Sequence, residues 1–129
     1  MFADAPVIIQ NDPGGVVIEY IERERFLEFD RTRIIIDGRC ASACTIYLAS
    51  PYACVTPRAS LHFHQASINI ASGGQLVPGW RDEQGTAVIM SLYPPSVAAW
   101  IRKHGGLGPD MITLRGREML ALIKNCEAN

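Results

Sequence analysis

Charge of either sign in excess is missing from this chain. Twelve lysines and arginines face thirteen aspartates and glutamates, for a formal net charge of −1. The cations are scattered among acidic residues, so the basic stripe of a nucleic-acid binder is absent and no nucleic-acid partner is expected. Long apolar runs are missing as well. None approaches the roughly 18 residues of a membrane span, and the opening residues lack a basic segment followed by the apolar core of an export signal. Met1 to Ala5 are compatible with the end of such a signal without establishing it. The Lys-Ser/Thr of a Walker loop, the spaced glycines of a dinucleotide site and the Gly-x-Ser-x-Gly elbow of α/β-hydrolases are all lacking. No cofactor is expected.

Cysteine is scarce but even in number: Cys40, Cys44, Cys54 and Cys126. Four thiols allow two disulfides in three connectivities, and equally they fill a core as small buried hydrophobes. Cys126 lies near the end of the sequence, where a disulfide is one way to stop a tail from fraying.

At 129 residues and 48% hydrophobic content the chain is sized for one domain with its own core. Val7-Ile8-Ile9 reads as a strand, stopped by the turn Asn11-Asp12-Pro13-Gly14-Gly15. Apolar residues at helical spacing predict a helix over 16–29. Ile34-Ile35-Ile36 is a buried strand ended by Asp37-Gly38, and residues 42–49 read as a short helix. Alternation of strand and helix predicts an α/β fold with a mostly parallel sheet. Residues 52–56 and 60–65 are strand candidates, and residues 66–80 read as a long loop, a candidate substrate-facing or lid segment. Helices are expected over 82–92, 94–104 and roughly 115–124, which makes the C-terminal half helical.

Three short segments carry chemistry. Ser42 follows a strand, stands between Ala41 and Ala43, and precedes a helix, so its hydroxyl can project at a helix N-terminus, where the Ala43 amide is free to bind an oxyanion. The bland alternative is that Ser42 only caps that helix. His64 ends a strand and is the natural general base, with the bland alternative of a structural histidine. His62, two residues earlier, shares its face. Cys40, Cys44, His62 and His64 make a conceivable zinc set, but the cysteine pair would straddle a loop and a helix start, and no metal is expected. The Asp-Pro-Gly-Gly loop offers free amides, or is simply a turn.

Taken together, Asn11 to Gly15 resembles the glycine loop of the Clp protease proteolytic subunit, Cys40 to Cys44 its nucleophile segment, and Phe63-His64-Gln65 its histidine segment. The resemblance covers roughly residues 7–65, more loosely the C-terminal half, and looks closest to small secreted or periplasmic Clp-like proteins. It implies the repeated ββα/βαβ superhelix of the Clp/crotonase-like fold and a serine peptidase acting on a peptide or protein. Ser42 would then be the nucleophile, His64 the base, Asp110 the triad acid, and the Gly15 and Ala43 amides the oxyanion hole. Asp110 has a bland alternative as the cap of the final helix. The resemblance also favours disulfides and an exported protein, and it leaves room for assembly of identical chains. One departure is Asp12, where the family has serine, since a carboxylate there would repel a developing oxyanion. Two other readings stay open: a catalytically inactive peptide- or partner-binding module of the same fold, and a crotonase-like acyl-CoA enzyme, which would not need the serine–histidine pair.

Overall fold

A parallel sheet is organised around the isoleucine run. The computed structural model describes residues 5–72 and 75–128. Strand β1 (Val7–Asp12) leads into helix α1 (Val17–Phe29), which returns to strand β2 (Ile34–Ala41). β-branched side chains suit the pleated backbone, and Ile34 and Ile36 are fully buried on one face. A 3₁₀ helix (Ser42–Ala49) follows β2 directly, then β3 (Ala53–Val55) and β4 (Ser60–Phe63). β2 is the central strand: β1 pairs with it on one side, while β3 pairs with Ile34–Ile36 and β4 with Arg39–Ala41, all in parallel. The ends of β1, β2 and β4 that carry Asp12, Ala41 and Phe63 therefore lie together, where an open parallel sheet places its ligands.

Gly38 lets β1 and β2 approach. A Cβ there would stand 2.1 Å from the carbonyl oxygen of Gln10, at the register shift between Ile9 and Asn11. Any side chain at this position would push the strands apart.

Residues 66–80, read from sequence as a loop, instead form most of an antiparallel hairpin, β5 (Ser67–Ser72) with β6 (Gln75–Arg81). The signal was present in the sequence: short segments rich in isoleucine, leucine and valine flank Gly73-Gly74, a pattern of strand, turn and strand. The small and polar residues among them masked it. Helices α2 (Glu83–Leu92) and α3 (Pro95–Lys103) lie within the expected spans, the second opening on Pro95 and ending before Gly105 and Gly106, both at positive φ. A further strand, β7 (Ile112–Arg115), was not anticipated. Its four residues pair antiparallel with β4, Phe63 opposite Ile112, before the final helix α4 (Gly116–Leu122).

The core joins the sheet to the helices. Phe63 packs edge-on against Tyr93 at 5.3 Å and tilted against Trp100 at 5.9 Å, which fixes the end of β4 next to His64. Tyr20 of α1 meets Tyr47 of the 3₁₀ helix at 5.6 Å, with the Arg23 guanidinium over the Tyr20 ring.

Two disulfides select one connectivity of the three: Cys40–Cys44 and Cys54–Cys126. They close rings of very different size, with sequence separations of 4 and 72. On the chain-entropy account the long ring restricts the unfolded chain by about 4 kcal/mol and the short one by about 2 kcal/mol. The long ring ties down the C-terminal segment, where the Val55 amide donates to the Lys124 carbonyl, the Cys126 amide donates to the Val55 carbonyl, and Arg58 bridges Asp37 and Glu127.

Candidate active site

Ser42 opens the 3₁₀ helix in the left-handed region, with φ at +56°. Helix capping is not its role. The cap position belongs to Ala41, and no side-chain capping bond is made there. The Ser42 hydroxyl instead lies 2.7 Å from Nε2 of His64. A non-glycine residue at positive φ persists only where its surroundings hold it. Here the Thr45 hydroxyl donates to the Ser42 carbonyl at 2.6 Å and lies 2.6 Å from the buried Tyr93 hydroxyl. Sequence reading missed this network, although a threonine three residues after the serine at a helix start is the signal that could have found it.

The glycine loop closes the other side. Gly14 has φ +94°, and a Cβ on it would stand 2.7 Å from the Ala41 carbonyl oxygen and 2.7 Å from the Ser42 Cβ. The loop backbone therefore lies directly against the serine turn. Asp12 is turned inward to serve this loop: its Oδ1 accepts from the Gly14 amide at 2.8 Å and from the Tyr20 hydroxyl at 2.7 Å. Burial, with the Asp12 carboxylate second, holds the Tyr20 hydroxyl well above its usual pKa, to about 12. Beside the charge it brings near the oxyanion loop, Asp12 has a structural role, since its carboxylate accepts from two donors that fix the loop. Gly14 spends its amide on Asp12, which leaves the Gly15 amide without that bond. Ala43 sits in the first turn of the helix, where amides have no intrahelical acceptor.

His64 follows the last residue of β4, and the backbone beyond it is anchored twice: the Gln65 amide donates to the Gly108 carbonyl at 2.8 Å and the Ala66 amide to the Thr86 hydroxyl at 3.0 Å. The ring is half-buried, and burial lowers its pKa from the ordinary histidine value. His64 is accordingly neutral at neutral pH, the form that accepts a proton. His62 is occupied differently, with ring nitrogens 3.0 Å from the Thr113 hydroxyl and 2.9 Å from the Ser60 hydroxyl. Both sulfurs of the Cys40 and Cys44 pair are in a disulfide, so the zinc set considered from the sequence is not available.

Asp110 is exposed in the turn before β7. It does not cap the final helix, whose N-cap is Arg115. Among the described residues no hydrogen bond joins it to His64, but the bond from the Gln65 amide to the Gly108 carbonyl brings its turn near the histidine backbone. The carboxylate that lines the site is Asp82, which the sequence reading did not single out. Its Oδ1 accepts from the Gly85 amide at 2.9 Å as the cap of α2.

Ser42 and His64 open into a cavity of about 710 Å³, whose wall includes Gly15, Val16, Ile18, Ser67 and Asp82. Val16 and Ile18 remain more than half exposed, so one side of the cavity is apolar and accessible.

No family model and no curated protein matches the sequence. A solved structure does: a mutant form of the 1510-N membrane-bound stomatin-specific protease, at a TM-score of 0.61 and 16% identity, over 93% of this chain and 63% of that one. The likeness shows the fold: this chain is mixed α/β, shares the fold of that neighbour, and spans 63% of its length.

Proposed function

We propose that the protein is a serine peptidase of Clp-like type. The observation that carries this reading is the 2.7 Å approach of His64 Nε2 to the Ser42 hydroxyl, at the mouth of a cavity and beside a glycine loop. His64 takes the proton of Ser42 as Oγ forms a bond to the carbonyl carbon of a bound peptide. The Gly15 and Ala43 amides receive the negative charge on the carbonyl oxygen. His64 then gives its proton to the leaving amine as the peptide bond breaks, and a water molecule, deprotonated by His64, releases the acyl group from Ser42.

Asp110 is proposed as the acid that orients His64, its turn being adjacent to the histidine backbone. Asp110→Asn lowers the turnover rate while Asp82→Asn chiefly loosens α2; the reverse ranking would move the role to Asp82. The β5–β6 hairpin, whose Ser67 reaches the cavity wall, is proposed to face substrate. One Clp/crotonase-like domain with the superhelical repeat, an extracytoplasmic location consistent with the two disulfides, and assembly of identical chains complete the proposal.

The test is cleavage of a mixed-sequence peptide library by the wild type and by Ser42→Ala, read by mass spectrometry. Cleavage products present with wild type and absent with Ser42→Ala support the reading. Equal products from both proteins would overturn the role of Ser42, and binding of peptides without cleavage would replace the reading with an inactive binding module.

A further inference from the structure

Ser42 occupies a backbone conformation that an L-residue does not keep unaided, and two contacts already described hold it: the Thr45 hydroxyl on its carbonyl and Gly14 against its Cβ. A third is covalent. Cys40 and Cys44 stand two residues to either side of Ser42, and their disulfide closes over it with the two Cα atoms 5.3 Å apart. We propose that the Cys40–Cys44 disulfide is a positioning element for the nucleophile, holding the turn that aims Ser42 Oγ at His64. The inference rests on the peptidase reading for its consequence in catalysis, but its geometry stands apart from it.

Three features point this way. Cys40 is paired in the sheet, opposite Asp12 of β1 and Leu61 of β4, while Cys44 is the third residue of the 3₁₀ helix. The disulfide thus joins rigid sheet to helix across the one turn that carries Ser42, and the turn cannot open while it is closed. The ring is also short, so it constrains the unfolded chain far less than Cys54–Cys126 does, and its main effect falls on local geometry. Finally, Cys40 and Cys44 are both fully buried. Solvent thiols have no path to them in the folded protein, which fits a permanent brace and not an exposed thiol pair.

The rival account is that the two sulfurs only fill the core. It predicts a lower melting temperature and an unchanged site. The experiment compares the wild type, Cys40→Ala with Cys44→Ala, and Cys54→Ala with Cys126→Ala, each well below its own melting temperature. Two quantities are read: the rate of labelling by a fluorophosphonate, and the titration of the His64 ring followed by NMR. Removal of the Cys40–Cys44 disulfide is expected to slow labelling at least tenfold and to move the His64 titration toward that of an ordinary, water-exposed histidine. Removal of Cys54–Cys126 is expected to lower the melting temperature and change neither quantity. Should the alanine pair not fold, Cys40→Val with Cys44→Ala restores lost volume and is measured in the same way. Unchanged labelling and unchanged titration in the folded variant would overturn the proposal. A wild type that does not label, with a His64 titration that still moves when the Cys40–Cys44 disulfide is removed, supports the positioning role and overturns the peptidase reading.

Discussion

The hydroxyl of Thr45 donates to the carbonyl of Ser42 at 2.6 Å, inside the core and three residues along the chain from it. Its second neighbour is the hydroxyl of buried Tyr93, whose pKa burial pushes far up, so Tyr93 stays protonated across the working range. The serine turn is therefore gripped from behind by a network rooted in the core.

Thr45→Val keeps the shape and removes the hydroxyl, leaving the Ser42 carbonyl and the Tyr93 hydroxyl short of a partner. The expected loss is about 1–3 kcal/mol of stability, read by denaturant unfolding. Thr45→Ser, which keeps the hydroxyl, should lose less. A loss in Thr45→Ser as large as or larger than that in Thr45→Val would mean that the methyl group matters at least as much as the hydrogen bond.

Gly14→Ala is expected to damage the site more than the fold. The added Cβ meets the Ala41 carbonyl and the Ser42 Cβ at 2.7 Å, in a backbone conformation with φ +94°. Labelling of Ser42 by a fluorophosphonate should fall at least tenfold in folded protein. Full labelling would show that the loop can withdraw without disturbing the serine.

Burial lowers the pKa of His64, and also that of His62, where Arg39 and Arg115 add to it. The active form of His64 is neutral, so the labelling rate should fall with acidification at a midpoint below 6.5, the ordinary histidine value. The same shift has a stability sign. Between the lowered folded values and 6.5 the unfolded chain binds more protons, so stability should rise with pH across that window. A labelling midpoint at or above 6.5 would contradict the assignment of His64 as a half-buried base.

Cys54→Ala with Cys126→Ala opens the ring of sequence separation 72 and releases the C-terminal segment from Val55. A drop in melting temperature of roughly 10 °C or more is expected by calorimetry. A drop of only a degree or two would show that the Arg58 ion pairs and the backbone bonds to Lys124 and Cys126 hold the segment without the sulfur bridge.

The sequence made the early βαβ frame legible because each strand there opens on a β-branched run, although β2 continues through Asp37 and Gly38 to Ala41. It was legible also because Glu22, Arg23, Glu24 and Arg25 mark a wet face on α1, although Glu24 is in fact buried. Ser42 and His64 could be singled out because both stand at strand ends among small or apolar residues. The hairpin after His64 was obscured by serine, alanine and glycine, which dilute the strand signal. Strand β7 was hidden by its length, four residues whose pairing with β4 is a long-range contact. The structural role of Asp12 was not legible for a related reason: its charge is visible in the sequence, but the Tyr20 hydroxyl and Gly14 amide that bind it come together only in the fold.

The central claim is that Ser42 is an activated nucleophile with His64 as its base. Intact-mass measurement of fluorophosphonate labelling on wild type, Ser42→Ala and His64→Ala tests it most directly, and under non-reducing conditions the same spectra report both disulfides. One adduct on the wild type, none on Ser42→Ala, and a rate lowered by about 10²-fold or more in His64→Ala is the expected result. An unlabelled, well-folded wild type, or an adduct that survives Ser42→Ala, would contradict it.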